Sequence, residues 1–409
     1  MSVEKDKRYT NFCVDKILVC KGKLVGNNAC FGSTTTADLK IPGGNPGDVL
    51  TNLGNGQVAW SSSQQVSTIN VGVTPTGIAI TDDSSLAYVA NNNNYGVTTG
   101  NYVSLVDLQT NLAIKNIQSG TFVQPYTATL SPDGSKVYIT NSASPATVMD
   151  PGTISIIDTT INEVTGTITG FDGPSGLVIN PQTNLGYVNN YGAAGGVMSG
   201  NGTTISVVNM ISGTITATIA VDLAPAALAL SVDGNYLYVA NYTTGATGSG
   251  TVQVIDTSTN GIVATIPGFS GPFAVVVHPN GLYAYVTNFG SNNFDPYGTT
   301  VDVIDLNSNV VIASIATGIQ PSGLDITPDG RYLYVSNYNT LYQVGSPTFS
   351  DLTAGEGTVQ VIDTTTNTLL STTFVVGQSP SNISISPDGE YVYVSNFTSN
   401  TVSVIKSFK

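Results

Sequence analysis

The chain has 409 residues, enough for one large domain or two ordinary ones. Hydrophobic residues make up 41% but charged residues only 9%, so there is material for a core but none of the Glu- and Lys-faced stretches that long helices need. The formal net charge of −14 is uneven: residues 1–40 carry seven basic against four acidic side chains, about +3, which leaves about −17 on a body whose cations are Lys115, Lys136, Arg331, Lys406 and Lys409. That balance argues against nucleic acid or anionic lipid as a partner of the body.

The N-terminus, MSVEKDKRYTNFCVDK, lacks the apolar stretch of a secretory signal, and no run of the sequence is apolar enough to predict a membrane span. Synthesis without classical secretion is the expectation. Cys13, Cys20 and Cys30 fall in the first thirty residues, and the remainder has no cysteine. Their spacing is not that of a zinc site, so no metal is expected. The odd count leaves open a cross-chain disulfide or three thiols. KILVCKGKLV at 16–25 alternates as short strands do. GGNPGDVLTNLGNGQVAWSSS at 43–63 resembles a short β-module of phage tail-fibre and giant-virus structural proteins. This resemblance implies that residues 1–65 tether the protein to other structural proteins, with a homo-oligomer as one outcome. The alternative is a linker packed on the body behind it, anchored by Trp60, the only tryptophan.

From residue 66 onward the chain repeats. Tyr-apolar-x-Asn ends at Asn91, Asn141, Asn190, Asn241, Asn288, Asn337 and Asn396, at spacings near 50 residues with a last interval of 59. Each copy opens on a proline (Pro75, Pro125, Pro174, Pro225, Pro272, Pro321, Pro380), followed by an alternating strand and often a turn of the SPDG kind. After the Tyr-x-x-Asn strand come a loop, a third strand such as TVQVID at 251–256, a TSTN-like turn and a fourth strand. Four short antiparallel strands per repeat form a propeller blade, which must stack on neighbours to bury its faces. VSTINVG at 66–72 reads as a fourth strand, and the last copy stops after its third, TVSVIKS at 401–407. The fold class is therefore all-β: a seven-bladed β-propeller over 66–409, closed into a ring by its N-terminal strand. The Tyr-x-x-Asn copies resemble the YVTN-repeat family of β-propellers, found in surface-layer and other surface-associated proteins. The resemblance spans about 340 residues and implies a scaffold whose function depends on its loops.

Residues recurring in every blade read as architecture. Asn91 and its counterparts are expected to cap the following turn, and Asp158, Asp256, Asp305 and Asp363 to form Asx turns. His278, the only histidine, takes the place of Ser131, Thr327 or Ser386 and reads as a turn residue. Asp325 puts a carboxylate on an innermost strand where other blades carry Ala79, Val178 or Ala229, so it is expected to line the axial channel as a solvated residue or a cation contact. Some seven-bladed propellers are lactonases acting on phosphorylated sugars, and others hold quinone cofactors. The body's one arginine, Arg331, sits on a turn, it has no tryptophan, and no Ser-His-Asp set can be built beyond the single histidine. No catalytic residue and no cofactor is expected.

The second-to-third-strand loops carry the variation: 92–102, 142–152, 191–202, 289–298 and 338–357 are long, while the last blade has only FTSN. These loops and their neighbours supply Tyr95, Tyr102, Tyr126, Tyr191, Phe294, Tyr297, Tyr338, Tyr342 and Phe349, with Phe122 and Phe289 beside them. Aromatics among amides and carboxylates suit sugar rings or protein partners. The expectation is a non-enzymatic display protein on a virion or comparable particle surface, its loop face binding glycan or a host surface protein. The alternatives are a cellular surface-layer propeller and a lactonase-like enzyme.

Overall fold

The computed structural model describes residues 66–92, 101–142, 152–192, 200–242, 249–290, 297–339 and 355–408 in full. It also gives the backbone of short strands in the first 61 residues and within two of the loops. The chain divides into two compact units, Met1–Gln65 with Phe408–Lys409, and Val66–Ser407. In the first unit, Phe12–Val14 pairs with Ala29–Phe31, Leu18–Cys20 with Lys23–Val25, and Val49–Asn52 with Val58–Ser61. The ladders set Cys13 opposite Cys30 and Cys20 opposite Lys23 along the backbone. The cysteine side chains lie outside the described residues.

The second unit is a seven-bladed propeller of four-stranded antiparallel sheets. Blade 1 runs Pro75–Ile80, Leu86–Asn91, Tyr102–Asp107 and Leu112–Gln118 from axis to rim. Blades 2 to 6 repeat that order from Pro125, Pro174, Pro225, Pro272 and Pro321. Blade 7 takes Pro380–Ile385, Tyr391–Asn396 and Thr401–Lys406, and its rim strand is Ser67–Asn70 from the start of the unit. Register there is Asn70 to Thr401, Ile69 to Val402, Thr68 to Ser403 and Ser67 to Val404. Ring closure thus pairs the two ends of the unit, as the repeat arithmetic requires.

Burial follows from position in the blade. Second strands are covered on both faces, so their apolar runs are almost continuous; Tyr88, Tyr187, Tyr285 and Tyr334 are fully buried. Rim strands alternate, as Thr214–Ala220 does between exposed threonines and half-buried Ile215 and Ala217. Each Tyr of the Tyr-x-x-Asn strand points into the next blade. Tyr285 donates its phenol to Asn367 Oδ1 at 3.0 Å, and Tyr88 reaches Asn162. Burial pushes the phenols of Tyr88, Tyr238 and Tyr285 up to about 12, so they stay protonated donors.

The turns obey local chemistry. Asp158 Oδ1 accepts the Thr160 N–H at 2.8 Å, and Asp107, Asp256, Asp305 and Asp363 do the same, the Asx turns expected from sequence. The Asn ending these turns takes a left-handed conformation, with φ of 54° at Asn162 and 56° at Asn260, and the ladder bulges beside it. In SPDG, Asp133 accepts the Ser131 hydroxyl at 2.6 Å, which with Ser135 holds its carboxyl down to about 2.

The recurring asparagine behaves differently from the expected turn cap. Asn91 donates Nδ2 to Ser104 Oγ at 3.0 Å on the adjoining third strand. Asn141 donates to Ser155, Asn190 to Ser206 and Asn396 to Ser403. It ties the second strand to the third inside the blade and is fully buried at Asn91, Asn241, Asn337 and Asn396.

Third strands of blades 2 to 6 carry a glycine within two residues of their start, because a second-strand carbonyl or the next blade's opening proline lies against it. A Cβ on Gly250 would lie 2.1 Å from Pro272 Cδ and 2.6 Å from Asn241 O. Gly250→Ala is expected to cost about 2–3 kcal/mol, since neither a proline ring nor a strand carbonyl can give way. Urea unfolding should show a lower midpoint at unchanged slope.

Candidate functional site

Pairing of Pro75 with Asn91 puts the start of the first strand and the end of the second on one face, and the other blades keep that register. The variable loops leave from this face, and here the axial channel opens into a cavity of about 230 Å³. All seven innermost strands line it.

The lining falls into two rows of repeat-equivalent positions. Directly after the blade-opening proline stand Thr76, Tyr126, Ser175, Ala226, Phe273, Ser322 and Ser381. One residue further stand Gly77, Thr127, Gly176, Ala227, Ala274, Gly323 and Asn382. The second row is small because neighbouring strands approach closely: a Cβ on Gly77 would lie 2.6 Å from the Ala128 nitrogen of the next blade.

Hydroxyls and amides from the first and second strands stitch blade to blade. Thr76 donates to Pro125 O at 3.3 Å, Thr127 to Ser175 O at 2.6 Å and Asn189 to Pro225 O at 2.7 Å. Thr287 donates to Ser322 O at 3.1 Å, Ser322 to Pro380 O at 2.7 Å and Ser381 to Pro75 O at 3.3 Å. Among the described residues the girdle lapses between blades 4 and 5, where blade 4 offers Ala226, Ala227 and Ala240. Aromatic packing takes over at that seam. Tyr242 donates to Gly290 O at 2.5 Å and sits 6.4 Å from Phe273; Phe273 is 5.1 Å from Phe289, and Phe289 is 5.9 Å from Tyr338. Phe273 belongs both to this arc and to the channel mouth.

The expected binding residues are distributed as follows. Tyr126 lies on the innermost strand of blade 2, not on a loop, and lines the mouth. Tyr338 is half-buried in the aromatic arc. Tyr102, Tyr191 and Tyr297 are half-buried beside strand ends of blades 1, 3 and 5. Tyr95, Phe294, Tyr342 and Phe349 lie outside the described residues. Phe122 is 3% exposed and belongs to the core between blades 1 and 2. The repeat frame missed Phe273 and Asn382; their signal was a departure from small residues at the two positions after the proline.

Asp325 lies on the innermost strand of blade 6, as expected, but not in the wall of the mouth. The residue as a whole is half-buried, yet its carboxyl group is enclosed. Oδ1 accepts the Ile326 N–H and Oδ2 the Ile385 N–H, both at 2.8 Å, so it ties blade 6 to blade 7. Burial outweighs those two hydrogen bonds and pushes the acid up to about 6. His278 is the turn residue that its place suggested. Its Nδ1 accepts the Asn280 N–H at 3.0 Å, and burial lowers its basicity. Among the described residues no His, Cys, Asp or Glu cluster could hold a metal.

Chemically, the mouth offers hydroxyls, one carboxamide and two aromatic rings, and no described lining residue is a carboxylate, imidazole, ammonium or guanidinium. Described cations lie elsewhere. Lys115 is on a rim strand, and Lys136, Arg331 and Lys406 are at the other ends of their strands or on the turns there.

A family model for lactonase, 7-bladed beta-propeller, matches residues 263–407. A PE-PGRS family protein, PE_PGRS18 of Mycobacterium tuberculosis (strain ATCC 25618 / H37Rv), is 38% identical over 69 residues, 17% of this chain. That match spans 13% of the relative's length. Among solved structures, a chain of Kuenenia stuttgartiensis hydrazine synthase superposes with a TM-score of 0.65 at 22% identity, covering 85% of this chain and 99% of its own. That likeness is one of fold. Together with the strand topology, these matches place the second unit among seven-bladed β-propellers.

Proposed function

We propose that this chain is a non-catalytic binding propeller, carried on a particle or cell surface, whose loop-rich face recognises glycan or protein. The observation that carries this reading is the make-up of the channel mouth. Acyl or phosphoryl chemistry needs an acid–base pair or a cluster of cations aimed at one point, whereas the described lining is built from hydroxyls, small residues, an amide and aromatic rings. Such a surface holds a neutral, hydroxyl-rich partner well and activates nothing. In this reading residues 1–65 tether the propeller to other structural proteins and oligomerise it through their strands or Cys13, Cys20 and Cys30. The resemblance of residues 43–63 to fibre modules favours a virion component over a surface-layer protein.

The lactonase family-model match over 263–407 favours a second reading, an enzyme acting on lactones. One experiment separates the two. The full chain is applied to a glycan array and to whole cells, and in parallel to a panel of sugar lactones with hydrolysis followed by pH. Expected are array or cell binding lost in the Phe289→Ala/Tyr338→Ala double variant, retention in Ile211→Ala on the opposite face, and no hydrolysis. Lactone turnover by the purified chain would overturn the binding reading.

A further inference from the structure

The seven innermost strands are near-copies, so side chains that break the pattern at the mouth mark what the mouth is shaped for. Three do so together. Tyr126 and Phe273 occupy the same repeat position in blades 2 and 5, where the other blades place Thr, Ser or Ala. Three blades apart in a ring of seven, they approach from opposite sides of the axis. Asn382 of blade 7 occupies the next position, where the other blades place Gly, Ala or Thr. Its main-chain N–H is spent on Ser395 Oγ at 3.2 Å, while among the described residues its carboxamide makes no hydrogen bond. A directional donor and acceptor is thus left at the rim of a cavity otherwise lined by small groups.

Resting on the binding reading above, we propose that the channel mouth is a subsite for one neutral pyranose ring, held between the aromatic faces of Tyr126 and Phe273 and oriented by Asn382. Three properties select that ligand class. The cavity, about 230 Å³, is smaller than the roughly 300–1,000 Å³ of sites for drug-sized molecules, so it admits a single ring rather than a chain. No described lining residue carries a charge to neutralise a phosphate or carboxylate, and burying an unpaired anion there is unfavourable. The hydroxyls of Thr76, Thr127 and Ser322 are spent on neighbouring carbonyls, which leaves the Asn382 carboxamide as a directional group offered to a ligand. A carboxamide that both donates and accepts suits neighbouring hydroxyls of a sugar, and the two aromatic rings suit its C–H surfaces. A planar heterocycle would stack equally well but offers no adjacent hydroxyl pair to the carboxamide.

The test uses the intact chain and saturation-transfer NMR. Probes are the methyl glycosides of glucose, galactose, mannose and N-acetylglucosamine, with glucose 6-phosphate and glucuronate as anionic counterparts. At least one neutral glycoside should bind in the millimolar range, and the anions should not. Asn382→Gly, which restores the residue of blades 1, 3 and 6, should weaken that binding about ten-fold, the worth of one or two directional hydrogen bonds. Asn382→Ala, the residue of blades 4 and 5, should behave alike, with thermal unfolding close to wild type in both. Phe273→Leu should weaken binding while keeping the seam filled. Failure of every neutral glycoside to bind, or binding indifferent to all three substitutions, overturns the subsite. Array or cell binding that survives Asn382→Gly would remove the subsite and leave the loop-face reading standing. Lactone turnover without glycan binding would remove both.

Discussion

Ile69→Asp is expected to destabilise the propeller by on the order of 5 kcal/mol and to open the ring. Ile69 is 2% exposed and packs with Ile78, Val89, Val106, Tyr393 and Val402 in the core shared by blades 7 and 1. Truncating such a side chain costs about 2–5 kcal/mol, and a carboxylate in its place adds desolvation with no described cation in that core to offset it. The site also holds the closure. Beyond the pairing of Ser67–Asn70 with Thr401–Lys406, blade 7 grips blade 1 through Ser384 to Ile78 O at 2.9 Å and Ser395 to Thr76 O at 2.6 Å. Those bonds form only while the two blades stay stacked. The measurement is urea unfolding of wild type, Ile69→Asp and Thr68→Asp. Thr68 is exposed on the same strand, so its variant should unfold with wild type. Equal stability of both variants would mean that the first strand does not hold the ring.

Asp325 provides the second large effect, and its sign runs opposite to that of most carboxylates here. Its acid lies near 6 in the folded chain against an ordinary 3.8. The folded state therefore binds this proton more tightly than the unfolded state. The resulting stabilisation is fully present below about pH 4 and is lost as pH rises through 6, amounting to about 3 kcal/mol. Carboxylates such as Asp83, Asp133 and Asp329 are held low by hydroxyl and backbone donors and lose stability as pH falls. The net profile mixes both, so the variant is compared with wild type at each pH. Asp325→Asn keeps an acceptor for one of the two N–H groups and cannot titrate. Between pH 4 and 8 its stability relative to wild type should move about 3 kcal/mol in its favour. A flat difference across that range would show that the carboxyl is solvated rather than enclosed.

Asp325 also shows where reading the repeat stopped. Its place on an innermost strand was legible because the repeat aligns it with Ala79, Val178 and Ala229. Its partner, the Ile385 N–H, lies 60 residues on in the next blade, and no periodicity within one blade reports that contact. The recurring asparagine is similar. Its presence was plain, but whether its amide caps a turn or crosses to the third strand depends on the height at which the strands pair.

By itself the amino-acid sequence determined the number of blades, the strand order within them, the Asx turns and the strand that closes the ring. These depend on alternation over a few residues and on turn chemistry of Asp, Asn and Gly that acts within four or five positions. Only the tertiary structure decided which departures from the repeat meet. Tyr126, Phe273 and Asn382 are far apart in the chain and stand on three blades, yet all line one mouth. They converge because closing seven wedges about an axis turns equivalent strand positions toward a common point, and that closure is a property of the whole ring.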